Sequence, residues 1–496
     1  VTDPPGSLSG DVRADVLVIG GGIAGLVSAL DLARAGHRTV LVEASDRFGG
    51  VLSAHRVGGL TLDAGAESFA TARPAVADLL SELGLSDRIV SPNPAGAWVR
   101  HAGGTAPLPA VGLLGIPGRW WAPDVRRVIG IAGAVRSAVD VALPAKTGVP
   151  AGATLGELVR RRMGNRVVDR LVEPVAGGVY AADPDRLEVR SVAPGLDAAL
   201  RETGSLSAAV RRLRGGGERS GSAVATVAGG MHTLVPALVG AARSAGAVLH
   251  TGISARSLAA EAAGWRVALS NGGTVIAGAV VLAVPSPAAA ELIMTAAPGV
   301  PVDLLQTPIS RVLICTLVVD DNRLDGAPRG TGVLVSAHAS GVTAKALTHA
   351  TAKWPWLART AGPGRHVLRL SYGRGTDLPP EAELPAIAVR DAGTLLGVEL
   401  DSGSVVDTAV VPWTSALPAP RPGHATEVAA LRRVLRPMRL FVVGAPVAGS
   451  GLSGVVTDAR QQAAALPDAP GPVAMIASSF PAATPEPDPE WGRMER

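Results

Sequence analysis

The alternation of apolar and polar positions changes period several times along the chain, and each change marks an element. Val16–Ile19 is a continuous apolar run, which reads as a strand. Glycines 20, 21, 22 and 25 follow. Leu26, Ala29, Leu30 and Ala33 then repeat at i, i+3, i+4 and i+7, which predicts a helix over about 24–35 with one apolar stripe, closed by Gly36. A second strand is expected at 39–43. Strand, glycine turn, helix and strand make half of a doubly wound nucleotide fold.

The same signature returns twice. Between about Val224 and Pro285, "GGMHTLVPALVGAARSAGAVLHTGISARSL" reads as glycine turn, helix and strand. "WRVALSNGGTVIAGAVVLAVP" then reads as a hairpin around Asn271-Gly272-Gly273 followed by a buried strand. "RLFVVGAPVAGSGLSGVVTDARQQAAAL" runs strand, glycine-rich loop, helix. Three separated pieces of one sheet predict a discontinuous α/β domain over 12–92, 222–290 and 430–468, with the intervening chain building the substrate side. Residues 111–175 are mostly helical and studded with Arg; their basic faces are expected to be solvated. "RRLRGGGERSGSA" (211–223) reads as a flexible loop. The tail at 469–496, rich in Pro, Ala and acidic residues, is expected to be disordered.

Composition narrows the function. A chain of 496 residues, 47% hydrophobic, has room for two or three domains. Of 46 basic residues all but Lys146, Lys345 and Lys353 are Arg, yet the net charge is only +4. Basic runs with interleaved aromatics are missing and aromatics total 3%, which argues against nucleic acid. The single cysteine, Cys315, sits in "RVLICTLVV" and is expected to be a core residue. The nine histidines are scattered and no HExxH occurs, so no metal is expected. Residues 1–15 do not read as a signal peptide, and no apolar run approaches about 18 residues. A soluble, cytoplasmic protein is expected, with peripheral membrane contact left open.

The chemistry concentrates in the opening signature. Gly20, Gly22 and Gly25 form GxGxxG: a tight turn, a close approach of backbone to pyrophosphate, and close helix–strand packing. The helix N-terminus offers unpaired N–H groups to the phosphates. Glu43 lies 18 residues after Gly25, where a carboxylate can accept both ribose hydroxyls. Beyond it, "DRFGG" supplies Arg47 for a phosphate and Gly49-Gly50 for a second close approach, which a nicotinamide dinucleotide does not require. The glycines at 444, 449, 451 and 454 open a helix whose N-terminus can stabilise negative charge on a reduced flavin. Together these point to FAD.

The runs "GGGIAG", "VEASDRFGG" and "LDAGAESF" resemble the flavin monoamine oxidase and protoporphyrinogen oxidase superfamily. "EPVAGGVYAADPDRLEVRS" (173–191) and "VVPWTSALPAPRPGH" (410–424) are similar to the bacterial porphyrinogen oxidases. "GVLV", "AKALTHATAKWPWL" and "HVLRLSYGRGTD" are similar to their actinobacterial branch, the coproporphyrin-forming coproporphyrinogen III oxidases. The resemblance spans roughly residues 12–466. It departs at "LPAP" (Leu417–Pro420), where the family has "LPQY", at Ser453-Gly454, where the family has Pro-Asp, and at "HAGGTAPLP", which lacks a basic residue some relatives carry.

The resemblance implies a Rossmann-like FAD domain, a mixed-sheet substrate domain (93–110, 183–221 and 291–429) and a helical domain (111–182). It implies FAD contacts at Gly20, Gly21, Gly22, Ile23, Ala24 and Gly25, at Glu43, Ala44, Arg47 and Gly50, and at Gly65, Ala66, Glu67 and Ser68. It extends them to Ile253 through its backbone, to Trp413, and to Ser450, Gly451 and Leu452. The family reaction removes six electrons from a porphyrinogen as three hydrides, with oxygen reoxidising the flavin to give hydrogen peroxide, in haem biosynthesis. A substrate with four carboxylates calls for cations: Arg73 first, Lys345 second, with Gly178 and Tyr180 in the loop that approaches the ring. No side chain is assigned as catalytic acid or base, because tautomerisation can move protons around the macrocycle. Rival readings are a protoporphyrinogen IX oxidase, a flavin amine oxidase and a flavin-binding relative without turnover. An amine oxidase's aromatic cage is hard to build when Tyr180 and Tyr372 are the only tyrosines. Transient contact with a metal-inserting haem-pathway enzyme is left open.

Overall fold

A computed structural model describes residues 10–466 apart from 145–147, 151, 181, 215–223, 263, 307–309, 374–377 and 418–421. The expected disordered tail therefore lies outside the described residues, as do most of "LPAP" and positions 215–223 of the predicted loop. Residues 211–214 of that loop are instead the last turn of a helix, Leu206–Arg214. Its apolar positions Leu206, Ala209 and Val210 are buried, and this stripe carries the helix into the arginine run.

Two seven-stranded sheets organise the molecule. The first has the order 248–250, 39–42, 11–19, 274–282, 264–269, 255–261, with 440–442 also pairing with 274–282. The strands at 248–250, 39–42, 11–19, 274–282 and 440–442 run parallel, and 255–261 and 264–269 add antiparallel neighbours. All three pieces predicted from glycine signatures therefore enter one sheet. Side chains alternate across it. Val16 and Val18 pack with the helices Ile23–Arg34, Leu234–Ser244 and Leu452–Ala464, whereas Leu17 and Ile19 pack with the Ser286–Ala296 and His424–Leu435 helices. Burial on both faces explains why this strand reads as an unbroken apolar run.

The second sheet has the order 405–417, 310–320, 365–372, 346–349, 332–335, 98–101, 104–107. Its pairs are antiparallel except 332–335 with 98–101, so it is mixed. One face packs against the Leu384–Leu396 helix; the other includes Val318 and Val367, which meet Leu60, Leu62 and Trp354. Cys315 is fully buried in this sheet, as expected, and burial pushes its thiol up to about 12.

A third apolar cluster holds helices between residues 123 and 214. The expected solvated basic faces are present in part, with Arg126, Arg127 and Arg161 exposed. Arg162 is buried on Asp140, and Arg136, Arg166 and Arg170 donate to backbone carbonyls. Water also reaches Ile131, Val135 and Val139 of the Pro123–Ala138 helix and the turn after it. No helix among the described residues is long and apolar enough to cross a membrane.

Candidate active site

The parallel strands of the first sheet end at a cleft of about 630 Å³. Gly20 has a φ of +106°, and a Cβ there would lie 2.4 Å from the Ala283 carbonyl oxygen. A Cβ on Gly25 would lie 1.8 Å from the Gly20 carbonyl oxygen, so this glycine is required for the helix to start so close to the strand. A Cβ on Gly22 would meet no protein atom within 4 Å, and Gly22 lines the cleft. Gly20 and Gly25 are thus held by close backbone contacts, and Gly22 faces the open space of the cleft.

Glu43 directly follows the adjacent strand, Thr39–Val42, and also lines the cleft. Its carboxylate accepts from the Gly21 amide at 2.6 Å and from the Ser45 amide and hydroxyl at 2.8 and 2.7 Å. These bonds orient the carboxylate while leaving it acceptor capacity for a ribose. Gly20, Ile23, Ala24, Ala44, Gly50, Ile253, Ser450 and Leu452 line the same cleft. The Ile253 amide donates to the Glu43 carbonyl, which fixes that backbone beside the carboxylate. Gly49 and Gly50 lie on the glycine turn, the Gly49 amide donating to Gly21, and Arg47 reaches the Gly50 carbonyl from an exposed position.

The segment at 64–68 stands behind this wall. The Ala66 amide donates to the Val51 carbonyl, and a Cβ on Gly65 would lie 2.2 Å from that oxygen. Three carbonyls of the segment are held by distant side chains. Trp413 Nε1 donates to Ala64 at 3.2 Å, Arg369 Nη2 to Gly65 at 2.8 Å and Thr226 Oγ1 to Glu67 at 2.8 Å. The Glu67 carboxylate pairs with Lys353 at 2.7 Å and Arg369 at 2.6 Å. Burial pushes this carboxyl up, but the two cations outweigh it and hold Glu67 down at about 2. Just before the segment, Asp63 accepts from the amides of Met231 and His232 and meets His232 Nδ1 at 2.8 Å. The second sheet therefore clamps a strip that is bonded to Val51 of the cleft wall.

Sequence reasoning missed Lys353, Arg369 and Thr226, which carry no motif. It also missed the other cleft wall, Ala283–Ser286, together with Arg256 and Glu291. The strand ending "LAVP" before a helix was the available signal. Ser453 and Gly454, where the resemblance breaks, have local reasons. The Ser453 hydroxyl donates to Ala70, and a Cβ on Gly454 would lie 3.0 Å from the Ala448 carbonyl oxygen.

The residues proposed for a substrate are spread out. Arg73 is exposed just before the Ala75–Glu82 helix. Lys345 is only 3% exposed, immediately before an inner strand of the second sheet, Ala346–His349. Gly178 lies in the Glu173–Tyr180 helix, where a Cβ would come within 2.7 Å of Leu334. Tyr180 ends that helix, and its side chain is outside the described residues.

A glycine-lined cleft at the carboxyl ends of parallel strands, with a carboxylate oriented at its edge, has the architecture of a dinucleotide-binding protein. The flavin-containing amine oxidoreductase profile matches residues 23–467, and the chain belongs to this family. It is 35% identical to the coproporphyrinogen III oxidase of Mycobacterium tuberculosis over 447 residues, covering 88% of this chain and 94% of that protein. It is 29% identical to the coproporphyrinogen III oxidase of Propionibacterium freudenreichii, covering 94% and 93%. Among solved structures, a protein of Exiguobacterium sp. 255-15 provisionally called a protoporphyrinogen oxidase shares the fold, with a TM-score of 0.79, 24% identity and coverage of 91% and 98%. The chain is accordingly an FAD-dependent oxidoreductase.

Proposed function

We propose that the chain oxidises coproporphyrinogen III to coproporphyrin III in haem biosynthesis, with oxygen as the final acceptor. One substrate and three oxygen molecules give one porphyrin and three hydrogen peroxide. The observation that carries the reading is the near end-to-end match, at 35% identity, to proteins named for that reaction. FAD, when bound, supplies the hydride acceptor.

The protein's part is to hold and orient. Gly20, Gly22 and the amides opening the Ile23–Arg34 helix would take the pyrophosphate, and Glu43 the adenosine ribose. Ser450 and Leu452, at the start of the last helix, would bring amide dipoles toward the ring end, where reduction leaves negative charge. The clamp of Arg369, Lys353 and Trp413 on 64–67 supports keeping one wall of the ring site fixed. Arg73, exposed beside that strip, is proposed as a propionate anchor; Lys345 is a second cation for the same role, with Gly178 and Tyr180 shaping the ring's approach. Handover of the porphyrin to a metal-inserting enzyme by transient contact belongs to the same proposal.

Aerobic incubation of the flavin-loaded protein with coproporphyrinogen III and, separately, protoporphyrinogen IX tests the reading. Porphyrin fluorescence rising faster with the four-carboxylate substrate is expected. Faster turnover of the two-carboxylate substrate would transfer the assignment to it, and bound flavin that stays oxidised under anaerobic substrate would end the enzymatic reading.

A further inference from the structure

Three charges meet at the strip 64–67, and they do not cancel. The Glu67 carboxylate, 17% exposed, pairs with both Lys353 at 2.7 Å and Arg369 at 2.6 Å. Lys353 also lies over the Trp354 ring at 4.7 Å, and Arg369 donates a second N–H to the Gly65 carbonyl. One carboxylate against two cations leaves a surplus positive charge. Lys353 is 16% exposed and Arg369 10%, so water screens that surplus weakly. The other carboxylate on this run, Asp63, is turned to the amides of Met231 and His232 and to the His232 ring. His55 adds no charge, because burial and the Arg369 guanidinium both push its pKa below the usual histidine range.

The strip carries this charge between two parts of the cleft wall. At one end the Ala66 amide donates to the carbonyl of Val51, which lines the cleft. At the other, the Ala70 carbonyl accepts from the Ser453 hydroxyl, beside Leu452, and Ser450 and Leu452 line the cleft as well. Each oxidation proposed above carries two electrons and one proton, as hydride, from a bridge C–H to the flavin, while a pyrrole N–H gives up its proton. One negative charge is thereby added at the ring. A positive surplus in a weakly screened wall favours that charged form. We infer that the cluster of Glu67, Lys353 and Arg369 sets the reduction potential of the bound flavin, the two cations raising it and Glu67 holding it down. All three are positioning residues that act through their field across the strip. The inference rests on the placement of the ring site against 64–67 in the reading above.

The test is the midpoint potential of the flavin-loaded, full-length chain, read anaerobically against a reference dye. Two unit charges about 10 Å apart at an effective dielectric of about 20 shift an equilibrium about tenfold, which is about 30 mV for a two-electron couple. Glu67→Gln should raise the potential by about that amount, and Lys353→Met should lower it. Lys353→Arg keeps the charge and should hold the wild-type value. A merely structural role predicts shifts of one sign or none. Glu67→Gln removes a paired charge and weakens the fold, so Lys353→Met against Lys353→Arg decides the matter alone if that variant does not fold. Shifts of one sign, no shift, or equal shifts in Lys353→Met and Lys353→Arg overturn the inference. The measurement needs no porphyrinogen. A chain that left coproporphyrinogen III untouched yet showed the opposite shifts would lose the proposed substrate and keep this assignment.

Discussion

Glu67 shows how much one half-buried carboxylate can be asked to do. Its backbone belongs to the strip bonded to Val51 of the cleft wall, and its side chain pairs with both Lys353 and Arg369. Glu67→Gln leaves Lys353 and Arg369 without a counter-charge, and a loss of about 3–5 kcal/mol in stability is expected, measured by chemical denaturation. The pH dependence has a definite sign. The folded carboxyl titrates at about 2 against an ordinary 4.5, so the unfolded chain binds the proton more readily. Its stabilisation is complete above pH 4.5 and is lost as pH falls from there through 2. Stability measured across that window should decline less in Glu67→Gln than in wild type; parallel declines would assign the acid lability elsewhere. Arg73 sits at the opposite extreme, exposed and outside any apolar cluster. Arg73→Ala is expected to raise KM for coproporphyrinogen III several-fold with flavin content unchanged, and an unaltered KM removes it as an anchor.

At the scale of elements, the glycine turn separates folding from binding. Gly25→Ala drives a methyl into the Gly20 carbonyl and should cost the flavin-free protein about 1–3 kcal/mol or more. Gly22→Ala meets no protein atom, so the flavin-free protein should melt as wild type does, while flavin affinity, read by fluorescence quenching, falls. Equal behaviour of the two variants would contradict the division of labour. This turn was legible because local rules dictate it: a buried strand, forced glycines, then a helical period. The same rules placed the pieces near 224–285 and 440–466 in one sheet. Arg369, Lys353 and Thr226 were not legible, because their roles arise only when strands hundreds of residues apart come into register. An arginine in "HVLRLSY" looks like any half-exposed strand residue until residue 67 lies opposite. The apolar stripe at 131, 135 and 139 was hidden by its setting, since an apolar helical period normally signals a buried face.

For the whole molecule, the question is whether the two sheets behave as one cooperative unit. The first supplies most of the cleft. The second reaches it through Arg369 and Trp413, and Lys353, just past one of its inner strands, joins them on the strip at 64–67. A dinucleotide that binds only the folded form at about 100 times its Kd adds about 2.7 kcal/mol, enough to raise the melting temperature of so large a chain by several degrees. Whether that stabilisation spreads to the second sheet can be read from one atom. Cys315 is the only thiol, fully buried between the strands at 365–372 and 405–417, and its proton is held until about pH 12, so it reacts only when this sheet opens. If the clamp couples the sheets, saturating FAD should slow Cys315 labelling by up to about a hundredfold, the factor that matches 2.7 kcal/mol. Arg369→Ala should shrink that protection while leaving the cleft's own glycines and Glu43 in place. Labelling at one rate with and without FAD would mean that the second sheet opens independently of the nucleotide site, and the clamp would then be a local contact rather than a mechanical link between the two sheets.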